Sequence, residues 1–250
     1  MQGNVVTGAG YFFRGLSMLP KPGIRLFVLI PLLANIGVFV LLGSVLWGYV
    51  STFQEYIGNL LPEWLGFITW IIGPLVWIAG GLMTGYTATF VVLLFTSPFH
   101  SLLAEKVEEQ ITGEALPALE GIAAALAGIP RGVARELGKL TYYVPKALIV
   151  LIVSFIPGLN AIAPVLWVLL GAWMMSLQFI DYPMDNHRLP FSEVRAACSA
   201  RQLSSLSFGG VVAFVSGIPL INMVVIPAAV IGATLLWCDE MRPQALGREH

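Results

Sequence analysis

Ser154-Phe155-Ile156-Pro157-Gly158-Leu159-Asn160 and Ser216-Gly217-Ile218-Pro219-Leu220-Ile221-Asn222 repeat one pattern, S-x-I-P-x-L/I-N, 62 residues apart. Each run interrupts a long apolar stretch, so each reads as a turn placed among residues that belong in lipid. Backbone freed by such a break must be satisfied by protein or water, because hydrocarbon offers no hydrogen bonds. Paired broken segments in matching positions point to a solute site in a membrane transporter. Turns rich in Pro, Gly and Asn also arise for purely local reasons.

The composition supports a membrane setting. The 250 residues are 57% apolar and only 11% charged, with a mean hydropathy of +0.83. Soluble domains carry about 25% charge, and one core of this size could not hide so much apolar surface. The reading is an integral membrane protein. A formal net charge of −1 argues against nucleic-acid binding, which needs a clustered basic surplus. Cys198 and Cys238 fit neither a disulfide framework nor zinc spacing. The chain start lacks the basic region of a cleavable leader.

Hydrophobic periodicity divides the chain. Val5, Ala9, Phe12, Leu16 and Leu19 recur at steps of three and four, which predicts an amphipathic helix over 3–20 lying in the membrane interface. Pro20-Lys21-Pro22-Gly23 ends it. The stretches 24–50 and 66–95 are long enough to span a hydrocarbon core of about 30 Å. Ser97-Pro98 reads as a hydroxyl cap with proline at the first helical position. It predicts cytoplasmic amphipathic helices over 97–146, with Glu105, Glu108 and Glu109 facing water. In the second of these, Leu119, Ile122, Leu126, Ile129, Val133, Leu137, Leu140 and Val144 form the stripe, and Pro130 is expected to kink it.

The remaining apolar arms, over 147–180 and 207–237, are divided by the two repeated turns. The first arm, from Ala147 to Ile156, covers roughly 15 Å as helix. Such arms are more often re-entrant than spanning. The predicted architecture is therefore an all-α single membrane domain over 1–250. It has two long transmembrane helices, two re-entrant (hemi-penetrating) helical hairpins, and amphipathic interfacial and cytoplasmic helices. All 13 Lys and Arg residues lie before residue 26, within 97–146, within 181–206 or after 238. The positive-inside tendency puts these places on one side. Six full spans would give the same charge pattern.

Pro22-Gly23-Ile24-Arg25 stands where a loop becomes the first spanning helix. A helix start offers amide donors and partial positive charge, and glycine permits close approach of a ligand. An arginine adds a fork of donors suited to an oxyanion, although an arginine here can equally hold lipid phosphate. Arg131, Arg135, Lys139 and Lys146 share one helix face. That face could gather anions at an entrance or meet anionic headgroups. Asn160 and Asn222 either cap the broken helices or line a polar path. Asp181, Asp185, Arg188, Glu193, Arg195 and Arg201 read as a solvated network. No phosphate loop, nucleophile elbow, metal motif or cofactor signature occurs, so neither an enzyme, a metal nor a cofactor is expected.

Several runs resemble the CysZ sulfate transporter family. They are Pro22-Gly23-Ile24-Arg25 with Ile30-Pro31-Leu32-Leu33-Ala34-Asn35-Ile36, then Ser97-Pro98-Phe99, Asp181-Tyr182-Pro183-Met184-Asp185 and Phe191-Ser192-Glu193-Val194-Arg195. The resemblance covers residues 5–240. It implies a multi-pass bacterial inner-membrane permease taking up sulfate for assimilation into cysteine. It also implies hemi-penetrating helix pairs and a homo-oligomer in membrane lipid, with sulfite as a second candidate solute. The family's glycine-leucine-arginine sulfate-binding stretch falls on Gly23, Ile24 and Arg25. Isoleucine replaces leucine here, and Leu26 stands where the family often carries a second arginine. The competing functions are a membrane-organising scaffold without transport and a less selective anion channel.

Overall fold

The computed structural model describes residues 3–60, 62, 65–114 and 129–246. The predicted stripe residues Leu119, Ile122 and Leu126, together with Glu63 and Trp64, lie outside the described residues. Among the described residues all regular structure is helical: α1 (Val5–Met18), α2 (Arg25–Leu60), α3 (Phe67–Thr112), α4 (Ile129–Phe155), α5 (Ala163–Asn186), α6 (Phe191–Ala200), α7 (Gln202–Ser216), α8 (Pro219–Leu236) and α9 (Arg242–Leu246). A π-helical turn, Trp237–Met241, joins the last two. The chain forms two compact units, one of residues 29–99 and the other of residues 1–28 with 100–250.

The first unit is an antiparallel pair made from α2 and α3. Trp47 packs against Trp77 with tilted rings whose centroids are 5.2 Å apart. A side chain at Gly80 would meet Leu46, and one at Gly73 would meet Gln54. The two residue numbers therefore run in opposite directions along the contact. At 1.5 Å per residue α2 is about 54 Å long and α3 about 69 Å, both longer than a hydrocarbon core. Leu33, Val40, Leu41, Ile71, Leu75 and Leu82 are exposed along the pair, which is the surface a lipid-facing helix presents.

One helix covers the whole of Phe67–Thr112, so the start expected at Ser97-Pro98 is not a chain break. Proline removes one helical hydrogen bond. A long apolar helix absorbs that loss where the only alternative is unpaired backbone in hydrocarbon. The same reasoning corrects the boundary at 146–147. Pro145 lies inside α4, which continues from the basic stretch into the first apolar arm. That arm belongs to a helix of about 40 Å rather than ending at 15 Å.

The second unit is built around α8, in which every residue from Ala228 to the end is buried. A helix apolar all round must be covered on all sides, and α1, α5 and α7 pack against it. The predicted stripe of α1 is rotated. Val5 and Leu16 are exposed, whereas Gly8, Tyr11, Phe12, Gly15 and Met18 are buried. A side chain at Gly15 would run into the Ala228 carbonyl, and one at Gly232 would come within 2.7 Å of the Tyr11 carbonyl. Small residues let helix backbones touch. The glycines thus define the packed face that a count of large side chains overlooks, and α1 is a core helix of this unit.

Both repeated turns fall at helix ends. In the first, α4 stops at Phe155, Gly158 takes φ +87°, and the Asn160 amide donates to the Ile156 carbonyl at 3.0 Å. A 3-10 turn, Asn160–Ile162, then leads into α5. In the second, Ile218 is extended and Pro219 occupies the first position of α8, where its missing amide costs nothing. The arms of this second pair, α7 and α8, are about 22 and 27 Å long.

Candidate functional site

Between α1 and α2 the chain turns through Pro20-Lys21-Pro22-Gly23. The Lys21 carbonyl accepts from the amides of both Ile24 (3.1 Å) and Arg25 (3.2 Å). Gly23 has φ +87°, a conformation open to glycine and strained for other residues. A Cβ there would also lie 3.0 Å from Gln110 Nε2 on α3, and that same nitrogen donates to the Pro22 carbonyl at 3.4 Å.

The three residues expected to hold an anion have different environments. Ile24 is wholly buried in a cluster that includes Leu103 and Val107, while Gly23 and Arg25 are exposed. Ile24 is therefore an anchor whose amide is already engaged by the Lys21 carbonyl. Its burial also accounts for the exchange of one aliphatic residue for another at this position. Among the described residues, the amides of Gly23 and Leu26 have no acceptor and the Arg25 guanidinium has no partner. The turn can offer an oxyanion one flexible cation and amides at a helix start.

The basic face of α4 is a different matter. Asp181 and Asp185, one helical turn apart on α5, stand against Arg131, Arg135 and Lys139, spaced by fours on α4. Arg135 Nε lies 2.9 Å from each Asp181 carboxylate oxygen, and its Nη2 lies 2.6 Å from Oδ1. Its Nη1 donates to the Leu189 carbonyl at 2.8 Å and sits 2.9 Å from Asp185. Lys139 Nζ is 2.7 Å from both Asp181 and Glu136, and Arg131 is 2.7 Å from Asp185. Asp181 is only 3% exposed.

Arg131 and Arg135, the residues expected to gather anions, are both ion-paired. Each is already neutralised by a carboxylate from a neighbouring helix, and an arriving anion would have to displace it. The expectation of a solvated network fails at Asp181 for the same reason. Meanwhile Val133, Leu137, Leu140 and Val144, the apolar stripe of α4, are exposed. This helix turns its charges inward and its hydrocarbon outward.

Asn160 sits exposed as the first residue of the 3-10 turn, whose N-cap position is Leu159. Asn222 lies in the first turn of α8, and its side chain is outside the described residues. Glu108 and three residues that sequence reasoning did not join to it, His187, Trp237 and Arg242, form a second cluster. Glu108, expected to face water, is 1% exposed. Its Oε1 meets His187 Nε2 at 2.8 Å, Trp237 Nε1 at 3.4 Å and Arg242 Nε at 3.0 Å. The signal available was its place beside Ala104 and Val107 on the buried face of α3. The partners lie far along the chain and carry no local mark.

A family model described as Sulfate transporter CysZ/Etoposide-induced protein 2.4 matches residues 11–227. The chain is 41% identical over 244 residues to the sulfate transporter CysZ of Pseudomonas paraeruginosa, covering 97% of this chain and 99% of that protein. It is 42% identical over 242 residues to that of Pseudomonas aeruginosa, covering 96% and 98%. It is 39% identical over 240 residues to that of Pectobacterium atrosepticum, covering 94% and 86%.

Proposed function

The chain belongs to the Sulfate transporter CysZ/Etoposide-induced protein 2.4 family, and from that premise we propose that it carries sulfate across the bacterial inner membrane for assimilation into cysteine. The observation that carries the reading is identity of about two residues in five along almost the full length of proteins named sulfate transporters. Five helices among the described residues are long and apolar enough to cross a membrane, in keeping with a multi-pass protein. The α2–α3 pair spans it. The α7–α8 pair, shorter than about 30 Å, re-enters together with the charge-free tip between α4 and α5. Lipid and further copies of the chain, as a homo-oligomer, cover the outward apolar faces.

In this reading Arg25 and the Gly23 amide are the anion's contacts, and Ile24 holds them in place. Support comes from contrast: Arg14, Arg131, Arg135 and Arg242 are ion-paired, while Arg25 and Arg188 are exposed without a side-chain partner among the described residues, and of these two Arg25 stands at the start of a spanning helix. A dianion cannot cross hydrocarbon unaided, so a guanidinium at the mouth of the first spanning helix suits its capture. Purified protein in liposomes should take up labelled sulfate, and Arg25→Ala should cut uptake at least tenfold with helicity unchanged. No uptake by the parent above empty liposomes would refute transport. Full uptake by the variant would refute the site. Equal competition by chloride would make the protein a general anion channel.

A further inference from the structure

Of the four cations on the basic face of α4, Arg131, Arg135 and Lys139 are paired with acids; Lys146 is not. Its Nζ donates to the Tyr142 carbonyl one turn back at 3.3 Å and lies 3.4 Å from the Tyr142 ring centroid. Arg195 of α6 approaches the same ring, its Cζ 5.0 Å from the centroid, and Phe191 meets that ring edge-on at 5.9 Å. An aromatic face attracts cations through its quadrupole but supplies no counter-charge. Among the described residues neither Lys146 nor Arg195 is ion-paired, and the buried Arg195 Nε has no hydrogen-bond partner. Two like charges gathered on one ring repel each other, and an anion between them would relieve both.

Trp173 joins this cluster to a cleft. Its indole nitrogen donates to the Tyr142 hydroxyl at 3.1 Å, and its ring lines an open cleft of about 380 Å³. Leu169, Leu170 and Leu206 supply the hydrocarbon of the remaining wall, and Ser199 and Gln202 its polar groups. Ser199 stands four residues after Arg195 on α6, which puts the two on one helix face. The volume falls within the range of clefts that hold small molecules, about 300–1,000 Å³.

The sequence sets the depth of this place. α4 carries no charged residue after Lys146, α5 none before Asp181, and α7 none at all. Lys146 is thus the last charge on α4 before an uncharged arm, and Arg195 lies on the short helix between two such arms. Basic side chains next to uncharged membrane helix settle at the level of the headgroups, and Trp and Tyr collect at the same depth. A small inorganic anion would use the two cations alone. Only an amphiphile would use the leucine-lined cleft as well. We propose that Lys146, Arg195 and the Trp173 cleft bind one phospholipid with an anionic headgroup. Its phosphate is held between the ammonium and the guanidinium, and an acyl chain lies along Leu169, Leu170 and Leu206. Such a lipid ties α4 and α5 to α6 and α7. The site does not rest on the transport reading.

The test uses the purified full chain in mild detergent, titrated with phosphatidylglycerol or with phosphatidylcholine of the same acyl chains, bound lipid being counted by native mass spectrometry. One phosphatidylglycerol per chain should be retained in a saturable step that phosphatidylcholine does not fill. Lys146→Gln/Arg195→Gln should weaken that step about tenfold or more, since each basic residue near a headgroup contributes several-fold. Ser199→Trp, at an exposed position, fills the cleft and leaves both cations in place. It should weaken retention comparably, and it serves if the double variant does not fold. Equal retention of the two lipids, binding without saturation, or unchanged affinity in either folded variant overturns the proposal. Displacement of phosphatidylglycerol by inorganic phosphate or sulfate alone, dependent on Lys146 and Arg195, would mark a site for free anions and overturn the lipid assignment.

Discussion

Replacing Asp181 by alanine would leave the Arg135 guanidinium and the Lys139 ammonium packed against α5 with their main counter-charge gone. Asp181 is 3% exposed and accepts from Arg135 through both oxygens, with Lys139 2.7 Å away. Breaking a buried pair by removing one partner costs about 3–5 kcal/mol, because a charge is left uncompensated. Asp185 lies 2.9 Å from Arg135 and Glu136 lies 2.7 Å from Lys139. Those contacts place the expected loss near the lower end, about 3 kcal/mol. Unfolding by a titration of SDS into mild-detergent solutions, followed by far-ultraviolet circular dichroism, would read it. The companion variant Asp181→Leu/Arg135→Met/Lys139→Met should recover most of the loss, since an apolar replacement of the whole cluster is often neutral. A loss below about 1 kcal/mol for the single variant, the range of an exposed pair, would refute the cross-brace reasoning. So would a gain in sulfate affinity on removing Asp181 with the fold intact, because that would return Arg135 to the role of anion collector.

Two other outcomes follow from the geometry. Gly15→Val should destabilise the second unit by at least the 1–3 kcal/mol of core overpacking, because its Cβ would strike the Ala228 carbonyl; the exposed neighbour Leu16→Val serves as the control in the same SDS titration. Burial pushes the pKa of His100 down to about 4 from 6.5, so between those values the unfolded chain binds the proton more readily. Stability should therefore fall as pH drops from about 6.5 to about 4, by at most about 3 kcal/mol. Unfolding curves of the parent and His100→Gln, measured across that window, should show the parent losing stability relative to the variant toward the acid end.

The parts of the fold legible in the residues were those fixed by local chemistry. The two proline turns end helices where their spelling says they should, because a missing amide and a glycine at positive φ act over a few residues. The turn at Gly23 is legible for the same reason. Ser97-Pro98 and Pro145 show the limit: the same residue type breaks a helix in one place and is absorbed in another, according to the length of apolar helix on either side. The face of α1 was hidden because glycine earns its place by what it lacks. The roles of Arg135 and Glu108 were hidden because their partners, Asp181 and His187, lie 46 and 79 residues away. A basic stripe alone cannot reveal that its acids sit on the next helix.

At the threshold of α2 the chain alternates outward, inward, outward across three consecutive residues. The middle one is buried against α3, so the backbone on either side of it is tied to that helix. Of the two outward neighbours, the glycine amide keeps its place while the arginine side chain stays free to swing.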